Sequence, residues 1–164
     1  MKKDIEKFED VQLLIRSFYN KVLNDDMLGS FFRHLKDHHW QKHLQVLDGF
    51  WDNILFYSGN YNGNPLEVHK TLHHFSKLEP VHFERWLKLF RETVDEFFQG
   101  QKAELAKQRA ISIATVMQVK ILFKRGIRLK PVVSATNLTS ASMTWNRAKP
   151  VSDKAKVYKL PENF

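Results

Sequence analysis

Residues 61–90 read YNGNPLEVHKTLHHFSKLEPVHFERWLKLF. The turn signal Asn62-Gly63 leads through Pro65 into a short helical segment carrying His69 and His73, which lie four apart and share one face. A second breaker, Pro80, opens a longer helix whose inner stripe is Phe83, Trp86, Leu87 and Phe90. A histidine-bearing helix is thus held beside a strongly aromatic one. The economical use of that pairing is a pocket for a large flat ligand with a metal at its centre.

Working outward, the Pro80 helix continues through Val94, Phe97 and Phe98 to a break at Gly100. Lys102 to Phe123 forms the last long helix, with Leu105, Ile113, Val116, Met117 and Ile121 inside. Ala103, Ala106, Ala110 and Ala114 favour close packing there, and Gly126 is its stop. On the other side, Ser58-Gly59-Asn60 ends a helix predicted from Trp40 to Tyr57, whose inner stripe is His43, Leu47, Phe50, Trp51, Ile54 and Leu55. Gly49 inside it costs helix propensity and suggests close approach by a neighbour. Lys36 to His39 is a polar link, and Met27, Leu28, Phe31 and Phe32 form an apolar knot around Gly29. Val11, Leu14, Ile15, Phe18 and Val22 mark a first helix ending at Leu23, before Asn24-Asp25-Asp26. Residues 1–9 are a charged lead-in or a frayed turn. No stretch supports a strand, so the fold class is all-α.

The chain has 164 residues, enough for one domain with a real core. It has no cysteine, which excludes disulfides, thiolate nucleophiles and iron–sulfur ligation. Any buried metal takes His, carboxylate, Tyr or Met. The formal charge of +8 is concentrated at the end: residues 127–164 hold seven Lys or Arg against two acids, a net of +5. Three of the five prolines fall there too, so 1–126 reads as the domain and 127–164 as a basic, proline-containing C-terminal extension, disordered or docked on it. With basic residues spread elsewhere, no nucleic-acid partner is expected. The start, MKKDIEKFED, has no apolar signal core and no long uncharged apolar run follows, so no membrane partner and a cytoplasmic location are expected. A monomer or weak dimer is the default.

Three predicted helices present unusual inward residues: Tyr19, His43 and Trp86, with His69 opposite. A neutral imidazole on a rigid helix is a good axial iron ligand. Tyr19, His43 and the Trp86 indole would then donate hydrogen bonds to a diatomic ligand, while Phe32, Phe50 and Phe90 pack the faces and edges of the macrocycle.

Those residues sit in ordered signatures that resemble the group III truncated haemoglobins: FYNKV around Tyr19, DMLGSFF around Phe32, WQKHLQVLDGFW over 40–51, YNGNPLEVH ending at His69, HFERWLKLF over 82–90 and KAELAKQRAISIA in the last helix. They span about residues 8–126. The resemblance implies a shortened globin fold, a two-over-two helical sandwich around haem b. It makes His69 the proximal iron ligand, Tyr19 the B-helix tyrosine, His43 the distal E-helix histidine and Trp86 the G-helix tryptophan. Phe32 matches the phenylalanine at the haem edge, and Trp51 a bulky residue closing one side of the distal pocket. Two departures stand out. The segment between His69 and Trp86 is about three residues longer than in the shortest relatives and carries two extra histidines, His73 and His74; the tail is also longer.

The implied function is reversible binding of dioxygen, nitric oxide or carbon monoxide, with nitric oxide dioxygenase or peroxidase-like redox activity fed by a separate reductase. No flavin or nicotinamide motif is present in the chain. Lys42 or Arg85 are candidates to pair with propionates. The alternative is a haemless helical binding or regulatory protein; Glu79-x-x-His82 is a fragment of a di-iron motif without the repeat on a facing helix that such sites need.

Overall fold

In the computed structural model, which describes residues 2–32 and 37–122, five α-helices and one 3-10 turn follow in order. They are α1 (Phe8–Leu23), the 3-10 turn Gly29–Phe32, α2 (Asp37–Phe56), α3 (Pro65–Phe75), α4 (Pro80–Phe97) and α5 (Gln101–Leu122). No strand occurs among the described residues. Helix α1 packs on α2, α4 packs on α5, and α1 crosses α4, giving two helix pairs laid over each other. Helix α3 lies against α5. The expected boundary after Gly126 and the basic extension lie outside the described residues.

Pro65 and Pro80 each open a helix, where a missing N–H costs nothing and the fixed φ suits the first turn. At the head of α4 the side chain three residues on turns back: His82 Nδ1 accepts the Glu79 N–H at 2.8 Å. Glu79-x-x-His82 is therefore a helix cap, and its metal reading falls away. The main core joins Phe18, Trp51, Leu55, Phe90 and Val94, all essentially sealed from solvent. Each such side chain contributes about 1.5–3 kcal/mol by leaving water. Ala103, Ala106, Ala110 and Ala114 form a buried small-residue stripe on α5, as expected.

Several local expectations change. Residues 2–6 are no frayed lead-in. Ile5 is fully buried, and Asp4 accepts the N–H groups of Lys102 and Ala103 at 2.9 and 2.8 Å, which caps α5. Helix α2 starts at Asp37, so the supposed polar link at 37–39 is helical. Val116 is 44% exposed, because the inward face of α5 is carried by the alanines with Met117 and Ile121. Gly49 meets no neighbour: a Cβ built there has nothing within 4 Å. A close backbone approach occurs instead at Gly29, where a Cβ would come within 2.6 Å of the Leu23 carbonyl oxygen.

The orientation of α2 matters most for the site. Among its residues of described burial, Leu44, Asp48, Trp51, Asp52 and Leu55 are buried, whereas His43, Leu47, Phe50 and Ile54 are half-buried beside them. Asp48, 2% exposed, takes hydrogen bonds from Arg16 at 3.2 Å and Gln12 at 3.3 Å, so α1 neutralises the carboxylate that α2 buries. Of the stripe expected to face the core, Trp51 and Leu55 are in it and Leu47, Phe50 and Ile54 pack against it, with Leu44 and Asp48 buried in addition.

Candidate functional site

Helix α3 supplies His69. Its Nδ1 lies 2.7 Å from the Pro65 carbonyl oxygen one turn earlier. A carbonyl only accepts, so Nδ1 carries the proton and Nε2 keeps its lone pair. Burial pushes the His69 pKa down, opposed by the Pro65 contact. The ring is thus a neutral imidazole of fixed tautomer with one nitrogen available to a metal. None of the described residues of α3 is fully buried, although Leu66 and Leu72 pack against the smaller core cluster formed with α4 and α5.

Helix α2 supplies His43. Burial, with repulsion from His69, lowers its pKa to about 4, so it is neutral at pH 7 and near enough to His69 for the two ring charges to interact. Its Nε2 is buried and has no hydrogen-bond partner. Buried polar atoms are almost always satisfied, so an orphan of this kind needs an explanation.

Around His43 stand three more rings. Tyr19 of α1 meets it edge-on, centroids 5.8 Å apart and planes at 89°. Phe32 of the 3-10 turn lies 6.1 Å away. Trp40, three residues earlier on α2, stacks on it at 5.6 Å and 29°. Tyr19 also touches Phe32 at 5.8 Å and Trp40 at 5.7 Å. Burial raises the Tyr19 hydroxyl pKa, opposed by a hydrogen bond from the Trp86 indole of α4. The Tyr19 oxygen thus accepts from Trp86 and retains its own proton to donate. Tyr19, His43, Trp86 and Phe32 are brought together from four elements, and Trp40 joins them although the sequence pattern marks it only as the start of a helix.

Behind this group runs a stack of planes. Trp86 lies on Phe90 (5.4 Å, 13°) and Phe90 on Trp51 (4.5 Å, 19°), with Phe18 edge-on to Trp86 and Phe90. Trp51 and Phe90 are sealed in the core and back the site. Phe50, half-buried, packs on Trp51 at 5.8 Å and on Tyr61 at 5.1 Å.

The other candidates have separate work. His73 Nδ1 accepts the Leu78 N–H at 3.0 Å and secures the link from α3 to α4. His74 is exposed. Arg85 is committed to Asp25, with Nε at 2.7 Å from Oδ2, and Asp25 Oδ1 also accepts the Leu28 N–H at 3.0 Å. Burial raises the Asp25 pKa, but these bonds outweigh it and hold the carboxyl below its usual range. Arg85 therefore ties α4 to the turn before Gly29. Lys42 is exposed.

The arrangement can be tested against a haem. Among the described residues no three His, Asp or Glu side chains converge on one point. A metal at His69 therefore needs further ligands that these side chains do not provide, as a macrocycle would. The unpartnered His43 Nε2, the free His69 Nε2, and the neutral, aromatic surroundings all suit such a group. The residues fit.

No family model matches the chain. It is 34% identical over 129 residues to the group 3 truncated hemoglobin ctb of Campylobacter jejuni, a match covering 77% of this chain and 98% of that protein. Its structure is similar to the crystal structure of a group III truncated hemoglobin from Campylobacter jejuni, with a TM-score of 0.67 and 32% identity over 74% of this chain and 95% of that one.

Proposed function

The chain belongs to the group III truncated haemoglobins, globin-type haem proteins that bind gases, and from that premise we propose that it holds one haem b through His69 and presents Tyr19, His43 and Trp86 to a diatomic ligand. The observation that carries this reading is the buried, unpartnered Nε2 of His43 in electrostatic range of a His69 whose Nδ1 is already engaged. When bound, haem supplies an iron with one position for a gas and access to ferrous and ferric states; the protein sets what that position favours.

The chain's own residues act as follows. The Pro65 carbonyl orients His69 and fixes its tautomer. Neutral His43 offers an N–H without carrying a charge into an aromatic site. Tyr19, polarised by the indole of Trp86, offers its hydroxyl proton. Phe32 and Phe50 are half-buried and supply apolar contact, while Trp51 and Phe90 back them. Tyr19 and the His43 Nε2 are buried, so each donor acts more strongly than it would at a surface. With the Trp86 N–H engaged on Tyr19, two donors, Tyr19 and His43, face one ligand and hold it more firmly than bulk oxygen storage requires. We therefore assign a redox role, nitric oxide dioxygenation or peroxide reduction, with electrons from a separate reductase.

The test is an absorption spectrum of the haem-reconstituted protein, ferrous and ferric, with and without carbon monoxide. A Soret band that shifts on carbon monoxide is expected, and His69→Ala should abolish stable haem retention. A normal spectrum in His69→Ala together with its loss in His73→Ala would refute the assignment of the proximal ligand.

A further inference from the structure

His43 is held in place without a hydrogen bond from Nε2, so something else must set its ring orientation. Side chains on a helix lean toward its N-terminus and cover the turn before their own Cα. For His43 that turn carries Trp40, three residues earlier and on the same face. The two planes are 29° from parallel with centroids 5.6 Å apart. Tyr19 and Phe32 also hold Trp40, edge-on at 5.7 and 5.9 Å. Tyr19 is buried, whereas Trp40 is half-buried. His43 is half-buried as well, so the stack is made by two half-buried residues at the start of α2.

We propose that Trp40 is the positioning residue for His43: its indole, stacked on the imidazole and braced by Tyr19 and Phe32, keeps the ring turned inward. The consequence for gas binding rests on the haem reading above; the stack itself does not. Removing the indole releases His43 to swing toward solvent, and its N–H is then lost to the ligand side.

The pair Trp40→Phe and Trp40→Leu separates stacking from bulk, since both replacements are apolar and only one keeps a ring. The probe is diethyl pyrocarbonate, which acylates accessible neutral imidazole, applied to the full chain as purified and read residue by residue by peptide mass spectrometry. His73 and His82 serve as controls, because their Nδ1 atoms are engaged elsewhere. One aromatic stack corresponds to a population ratio of roughly 2- to 12-fold, so His43 labelling should rise by about that factor in Trp40→Leu and stay near wild type in Trp40→Phe. In the carbon monoxide complex, the C–O stretching band of Trp40→Leu should move toward that of His43→Leu, with no further shift in the double variant. Equal His43 labelling in the Phe and Leu variants overturns the proposal, as does a rise shared by His73 and His82. A protein that takes up no haem but still shows the labelling difference would retire the gas-binding reading and leave the positioning role standing.

Discussion

His43 makes the fold sensitive to acid, and the size of the effect follows from its surroundings. The folded pKa is about 4 against an ordinary 6.5, because burial and His69 disfavour the charged ring. The folded value lies below the unfolded one, so the unfolded chain binds the extra proton first. The stability from neutral, buried His43 is complete above pH 6.5 and is lost as pH falls toward 4. With these two values, linkage gives a loss of about 2 kcal/mol between pH 7 and pH 5, and about 3 kcal/mol once pH is below 4. The perturbation is His43→Leu, which fills the site with an apolar side chain that does not titrate. Urea unfolding of the cofactor-free chain at pH 7, 6 and 5 is the assay. His69 titrates in both proteins, so the quantity of interest is the difference in pH dependence, whatever the variant does to stability at pH 7. The wild type should lose about 2 kcal/mol more than His43→Leu over that range. Parallel curves would mean that His43 is solvated when folded, and the argument for a buried, inward imidazole would fail.

Two glycines should respond oppositely to alanine. Gly29→Ala drives a Cβ to 2.6 Å from the Leu23 carbonyl oxygen and should destabilise by about 1–3 kcal/mol, lowering the thermal midpoint. Gly49→Ala has open space and lies within α2; it should stabilise by about 0.5–1 kcal/mol, and a lower midpoint there would reveal a neighbour unaccounted for. Asp4→Ala removes the cap of α5 and should cost about 0.5–2 kcal/mol, read by denaturant unfolding. Burial raises the Asp4 pKa, but the backbone N–H groups of Lys102 and Ala103 outweigh it and leave it below its ordinary value of 3.8. The wild-type advantage should therefore be present above that value and disappear as pH falls through the folded pKa; an advantage that persists in acid would exclude the charge as its source.

Which residues face inward was largely legible from local pattern. Pro65 and Pro80 open helices because they can do little else inside one, and Ala103, Ala106, Ala110 and Ala114 show their packing role by spacing alone. Tyr19, His43 and Trp86 stand out by their position among apolar neighbours, whereas local pattern leaves His69 and His73 on one face and the choice of His69 rests on the resemblance. How those rings meet was not legible, since it depends on pairings far apart in the chain. Asp48 looks like an outward residue until Arg16 and Gln12 are found beside it, and that pairing lets α2 bury a carboxylate on the same side as Trp51. Arg85 looks free for an anionic ligand until Asp25 is found to hold it, 60 residues away. Asp4 looks like part of a loose end until α5 is found to need a cap, 98 residues on. Val116 fails for the opposite reason: an apolar residue on an outer face is ordinary, and periodicity alone assigns it no side. Trp40 is the instructive case for the site. Its spacing from His43 is local and visible, but a tryptophan at the predicted edge of a helix carries no sign of purpose until Tyr19 and Phe32 are seen to brace it. Arg16–Asp48 joins α1 to α2, the two helices that bring Tyr19 against Trp40 and His43. The acid sensitivity of His43 and the effect of Trp40 on its exposure therefore depend on the same placement of α2, so disrupting Arg16–Asp48 should weaken both together.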